Sequence, residues 1–172
     1  KEQTKEQKFD LLHVWDNAKG AGNLDYVTGW YKKAADFIQS SKICVAFVST
    51  NSITQGEQIP VFGKLMHNLG VRINFAYRTF RWDSEANVKA HVHCVIIGFS
   101  LPSVKKKKRI YTTGNYQEVE NINPYLIDAP SVLIENRSKS ICNVPPILYG
   151  SMPIDDGHLI LERTDVDEIL AE

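Results

Sequence analysis

No stretch of this chain approaches the ~20 consecutive apolar residues that a membrane-spanning helix needs, and its first residues are charged rather than leader-like. The expectation is a cytoplasmic protein that does not cross a membrane. Cysteine is scarce. Cys44, Cys94 and Cys142 are odd in number, widely spaced and without a C-x-x-C pair. That argues against a disulfide framework and a paired-cysteine zinc site, and points to a reducing compartment. No sign of charge is in excess, since 20 Lys and Arg balance 20 Asp and Glu. The balance hides an uneven distribution: Lys105–Arg109 is a basic run, and the end from Asp155 to Glu172 is mostly acidic. Internal repeats are absent. The remaining composition, 43% hydrophobic and 23% charged over 172 residues, belongs to a globular chain with one core, or one core and the start of a second.

Helical and strand periods then alternate. Asn23 is placed to cap a helix in which Leu24, Val27, Tyr31, Ala34 and Ile38 recur at helical spacing. Ile43–Val48 is continuously apolar, as in a central parallel strand covered on both faces. Gly56–Leu69 reads as the next helix, with Ile59, Phe62, Leu65, Met66 and Leu69 on one face and Gly70 as its stop. Thr54 and Glu57 match a capping box, although Pro60 favours a start nearer Glu57. Val71–Trp82 alternates as a strand and Val92–Phe99 is a second, apolar one. Their link is too short for a helical crossover, so they pair antiparallel. Beyond Ser100 the chain reads as a basic linker, then a proline-rich, mostly irregular region, with a short helix over Thr164–Ala171.

Several groups of residues bear on chemistry. Ser49–Glu57 follows the carboxyl end of a strand, where open α/β sheets bind ligands, yet a polar loop that caps a helix has the same composition. Arg78, Phe80 and Trp82 share one side by alternation. Rings beside cations suit a base held out of its stack, and equally one buried ring with two solvated arginines. His91 and His93 lie two apart on one strand face, without a third ligand, and read as a packed or hydrogen-bonded pair. Asn123-Pro124-Tyr125 lacks the second proline of an amino-methyltransferase motif and follows no apolar strand, so it reads as a turn. Lys105–Arg109 reads as solvated linker or as a phosphate contact.

Long segments carry a family likeness. Thr4–Gln7, Lys19–Val27, Phe47–Gln58, Phe75–Trp82, His91–Phe99, Asn123–Pro130 and Tyr149–Asp155 resemble the type IIG (type IIL) restriction–modification enzymes, whose methyltransferase domain modifies the N6 amino group of adenine in DNA. The resemblance implies an α/β fold: the second half of a Rossmann-like S-adenosylmethionine methyltransferase sheet ending in an antiparallel hairpin. The start of a target-recognition region would follow. The divisions are residues 1–104 for the methyltransferase half, 105–122 for the basic linker and 123–172 for the beginning of target recognition.

By the same resemblance, Asn51, Ser52, Thr54 and Glu57 border the active-site cleft, Phe80 or Trp82 holds a flipped adenine, and Arg78 faces DNA backbone. The family's cofactor loop and Asn-Pro-Pro-aromatic motif lie upstream of the segment resembling Lys1–Gln7. No catalytic, cofactor-binding or metal-binding residue is therefore assigned in this chain. S-adenosylmethionine serves the full-length enzyme, while the fragment alone is expected to be inactive and cofactor-free. The implied partners are double-stranded DNA and the remainder of the parent polypeptide, with self-association through exposed core surface. The competing reading is a catalytically inactive DNA- or partner-binding module derived from a methyltransferase.

Overall fold

The structure, a computed structural model, describes residues 3–83, 91–134, 140–145, 150, 162–163, 165–166 and 169. Two compact units are present, Lys1–Asn136 and Arg137–Glu172. In the second, Arg163, Asp165, Val166 and Ile169 are helical; the rest of the helix expected over Thr164–Ala171 lies outside the described residues, as does most of Tyr149–Asp155.

The first unit opens with helix α1, Lys5–Val14. Thr4 Oγ1 accepts from the Gln7 N–H at 3.2 Å, and Gln7 Oε1 accepts from the Thr4 N–H at 3.0 Å. This capping box satisfies two amides that the helix start would leave orphaned. Residues Lys5–Lys8, charged and polar in sequence, are thus the first turn of a helix. Its one buried position, Leu11, is reinforced by Trp15 just past the end.

Helix α2 runs Thr28–Phe37, several residues later than the Asn23 cap implies. Asn23 instead ends a 3-10 turn, and Leu24 is extended with its side chain 1% exposed. Driving Leu24 into the core keeps the backbone extended at that residue, and helical turns resume only after it. Helix α3 spans Gln58–Asn68, with Pro60 in its first turn, where no amide is needed. The Thr54–Glu57 capping box does not form: the Thr54 hydroxyl donates to Asn51 O at 2.8 Å, inside a 3-10 turn over Asn51–Thr54. Gly56 and Gly70, both at positive φ, bracket α3.

Among the described residues five strands make one sheet: β1 Val45–Thr50, β2 Arg72–Asp83, β3 His91–Ser100, β4 Lys108–Thr112 and β5 Asn115–Val119, in the order β1-β3-β2-β4-β5. Strand β3 is antiparallel to both β1 and β2, so β1 and β2 run the same way with β3 inserted between them. The strand expected to be central and covered on both faces is an edge of the described sheet. Its residues alternate between the core and solvent, with Ala46, Val48 and Thr50 exposed. The segment read as basic linker carries the β4–β5 hairpin, turned at Gly114 (φ 78°), and β4 joins β2 in parallel.

Helices α1, α2 and α3 of the first unit share one core with one face of the sheet. Tyr31 of α2 stacks on Phe99 with ring centroids 5.7 Å apart and meets Phe47 at 5.1 Å, while Phe62 of α3 meets Tyr31 at 5.2 Å and Trp15 at 6.4 Å. Burying each such ring stabilises the fold by about 1.5–3 kcal/mol. The Tyr31 hydroxyl shares a 2.8 Å hydrogen bond with Ser49, and burial pushes its pKa up to about 12 against the lowering effect of that bond. Past β5 the chain returns to the same face, burying Ile122 and Leu126. Here Asn123 is 3% exposed, and its Oδ1 accepts from the amides of Tyr125 (3.0 Å) and Ile127 (3.3 Å). Asn123-Pro124-Tyr125 is therefore a turn, with its amide oxygen consumed locally.

Candidate nucleic-acid interface

Because β1 and β2 are parallel, their carboxyl ends reach the same rim. Thr50 and Phe80 both pair with Cys94, one from each side. They stand two strand spacings apart, about 10 Å. Asn51 follows Thr50 directly, so Asn51 and Phe80 open onto one end of the sheet. Asn51, Ser52 and Thr54 are half-buried there, and Glu57 is exposed. The loop is internally bonded. Thr50 Oγ1 and Ser52 Oγ lie 2.9 Å apart, and the Ser52 hydroxyl donates to the Asp25 carboxylate.

Phe80 and Trp82 point to the sheet face opposite the helices, where their rings lie 6.3 Å apart. Trp82 is 52% exposed. Arg78 is exposed but does not share their side through simple alternation. Between Tyr77, opposite Ile96, and Phe80, opposite Cys94, strand β2 carries one residue more than β3. This bulge resets the parity that would align Arg78 with Phe80.

The open face carries a run of rings that sequence reading did not assemble. Trp82 leads to Phe80, Phe80 to Tyr77 (5.2 Å), Tyr77 to Tyr111 (6.3 Å, planes 4° apart) and Tyr111 to Tyr116 (5.6 Å). The Arg109 guanidinium lies 5.0 Å over the Tyr116 ring. Tyr111, Glu118 and Tyr116 hold its charge, raising its pKa, while the Lys107 and Arg109 side chains keep the Glu118 carboxyl below its usual value. The available signal was the alternation Arg109-x-Tyr111 followed by Thr113-Gly114 and Tyr116. It marks a hairpin once the lysines beside it are not taken as a linker.

Among the described residues no group of three His, Cys, Asp or Glu side chains is placed to hold a metal. His93 is exposed, and Cys94 faces the other way and is buried. No helix of the described residues is long and apolar enough to cross a membrane. Asp25, a carboxylate beside the loop, accepts from the Ser52 hydroxyl, and a roughly 350 Å³ cavity lined by Phe62, Met66, Ile73, Phe99 and Leu133 lies toward the amino end of β2.

Comparison with known proteins agrees with this architecture. Residues 1–112 match the MmeI DNA-methyltransferase domain, and residues 128–172 match the MmeI target recognition domain. The chain is 36% identical over 170 residues to DNA methyltransferase A of Bacillus subtilis (strain 168), covering 99% of this chain and 19% of that protein. It also superposes on the type IIL restriction-modification enzyme MmeI solved in complex with DNA, with a TM-score of 0.88 and 44% identity, over 99% of this chain and 24% of that one. The chain thus spans about a fifth to a quarter of the length of these relatives. With its model matching well over half of the residues, and the inserted antiparallel β3 in place, the chain belongs to the MmeI DNA-methyltransferase family.

Proposed function

We infer that this chain is the DNA-facing half of an adenine-N6 DNA methyltransferase of a restriction–modification system. It acts in the cytoplasm, in keeping with its three free cysteines, and S-adenosylmethionine is bound and methyl transferred only together with the rest of the parent polypeptide. The cofactor supplies the methyl group; no step at it is assigned to the residues described. What this chain contributes is a rim that receives a base. The observation that carries the reading is the pairing of Thr50 and Phe80 with Cys94 from opposite sides, at the carboxyl ends of two parallel strands, with Asn51 following Thr50 directly.

A base turned out of a duplex leaves its stack, and a ring waiting beside the cleft returns part of that energy, about 1–3 kcal/mol per base. Phe80 and Trp82 are the candidates, with Trp82 the more open and Phe80 nearer the loop. Asn51, Ser52, Thr54 and Glu57 supply amide, hydroxyl and carboxylate groups along the opposite lip, and Arg78 offers a cation to the phosphate backbone.

The deciding experiment is methyl transfer by the full-length protein carrying Phe80→Ala or Trp82→Ala, with the modified nucleoside identified by mass spectrometry. The expected product is N6-methyladenine. The substitution that removes the stacking ring lowers kcat/KM roughly 10- to 100-fold, and the other much less. Methylcytosine as product overturns the adenine assignment. Tight DNA binding with no transfer by the wild-type protein returns the inactive binding module. Wild-type rates in both variants dismiss the ring-holding role.

A further inference from the structure

The short loop between Leu24 and Thr28 is tied to several other parts of the molecule, and Asp25 collects three of those ties. The Asp25 N–H donates to Gln58 Oε1 at 2.9 Å, which fixes it to the first residue of α3. The Asp25 carbonyl accepts from the Thr28 hydroxyl at 2.8 Å, and Thr28 Oγ1 in turn accepts from the Trp15 indole N–H at 3.3 Å. Next door, Leu24 O accepts from the Gln3 side chain at 2.8 Å. With the backbone pinned on both sides, the Asp25 carboxylate has little freedom, and it accepts a hydrogen bond from the Ser52 hydroxyl. Ser52 also lies 2.9 Å from Thr50 Oγ1, at the last residue of β1.

We propose that Asp25 is a positioning residue: its immobilised carboxylate fixes Ser52 and thereby sets the Asn51–Thr54 turn on the rim where DNA is received. This rests on the reading of that rim as the DNA side of a methyltransferase. The turn has one apolar anchor of its own, Ile53, and its polar side chains are only partly covered. Ile53 is buried, but Asn51, Ser52 and Thr54 are half-buried, and the turn is followed by exposed Gln55, Gly56 and Glu57. A hydrogen bond to a charged acceptor is about twice as strong as a neutral one, so the Asp25–Ser52 contact is the dominant polar tie holding the lip in one arrangement. Asp25 itself touches no substrate in this scheme and acts only through Ser52.

Two measurements on the same set of variants test the proposal. Hydrogen exchange of residues 51–55 is read by mass spectrometry in the 172-residue chain. KM for DNA and kcat are read in the full-length protein. Asp25→Ala speeds exchange over this segment roughly tenfold and raises KM by a similar factor, with a smaller change in kcat. Ser52→Ala reproduces both effects, and the double variant is no worse than either single one, because one contact has been removed once. Asp25→Asn keeps an acceptor for the Ser52 hydroxyl and restores both readouts to within about threefold of wild type. If Asp25→Ala fails to fold, Ser52→Ala removes the same contact from the other side and decides the matter. Unchanged exchange over 51–55 in Ser52→Ala overturns the proposal, as does Asp25→Asn proving as harmful as Asp25→Ala. A wild-type full-length protein that methylates no DNA ends the methyltransferase reading, while the exchange data still decide whether Asp25 orders the turn.

Discussion

Gly98 shows how a single position can shape the open face. A Cβ placed there would lie 2.1 Å from the nearest atom of the Phe75 ring, far inside contact distance. Phe75 leans on Tyr111 with centroids 6.1 Å apart, so it cannot swing aside without disturbing the neighbouring ring. Gly98→Ala is therefore expected to destabilise the chain by about 1–3 kcal/mol through overpacking, read as a lower urea midpoint at unchanged slope. Adding Phe75→Leu, which shortens the obstructing group, recovers most of the loss. Full stability in Gly98→Ala alone would mean that Phe75 has another place to go.

At the scale of elements, the capping box of α1 makes a second prediction. Thr4→Ala removes the Oγ1 acceptor for the Gln7 amide and costs about 1 kcal/mol, while Thr4→Ser is expected to be neutral; thermal unfolding followed by circular dichroism distinguishes them. This helix was not read from the sequence, because Lys, Glu and Gln dominate its first turns and Leu11 is its one buried residue. The Thr4-x-x-Gln7 signature was the legible trace. Helix α3 and strands β2 and β3 were legible because their apolar residues recur at a clear period and end at Gly70 or a polar loop. Strands β4 and β5 were not, since lysines precede them and β5 is almost wholly exposed. The same split runs through the site. The shared rim of Asn51 and Phe80 follows from strand direction alone. The position of Arg78 does not, because a bulge is a defect in pairing that one strand's residues do not reveal. The tyrosine run was hidden for the same reason as its hairpin.

For the whole molecule, the buried Tyr31 hydroxyl couples the core to alkaline pH. Its pKa is raised to about 12 in the folded chain, mainly by burial, from an ordinary value of 10.0. The folded state then holds its proton through a range in which the unfolded chain has lost it. Stability from this group is fully present below pH 10, falls as pH rises through the interval, and is exhausted near pH 12. The expected loss is of order 2–3 kcal/mol. Tyr31→Phe is expected to flatten this part of the curve, at a fixed cost from leaving Ser49 without its partner. Guanidinium unfolding at intervals between neutral pH and pH 12 measures it; a wild-type curve as flat as that of Tyr31→Phe would show that the tyrosinate finds water without unfolding.

The insertion of β3 between β1 and β2 also constrains the order in which the chain can assemble. Strand β1 finds its described partner only in a segment that ends at Ser100, with α3 and all of β2 intervening. The β2–β3 hairpin is local and closes early, but β1 must wait for it, at the entropic cost of a long loop. On a ribosome that delivers roughly 5–20 residues each second, the Val45–Thr50 backbone is therefore expected to spend seconds without this partner. Completing this half-sheet therefore waits on a strand that begins at His91, some forty residues after β1 ends at Thr50.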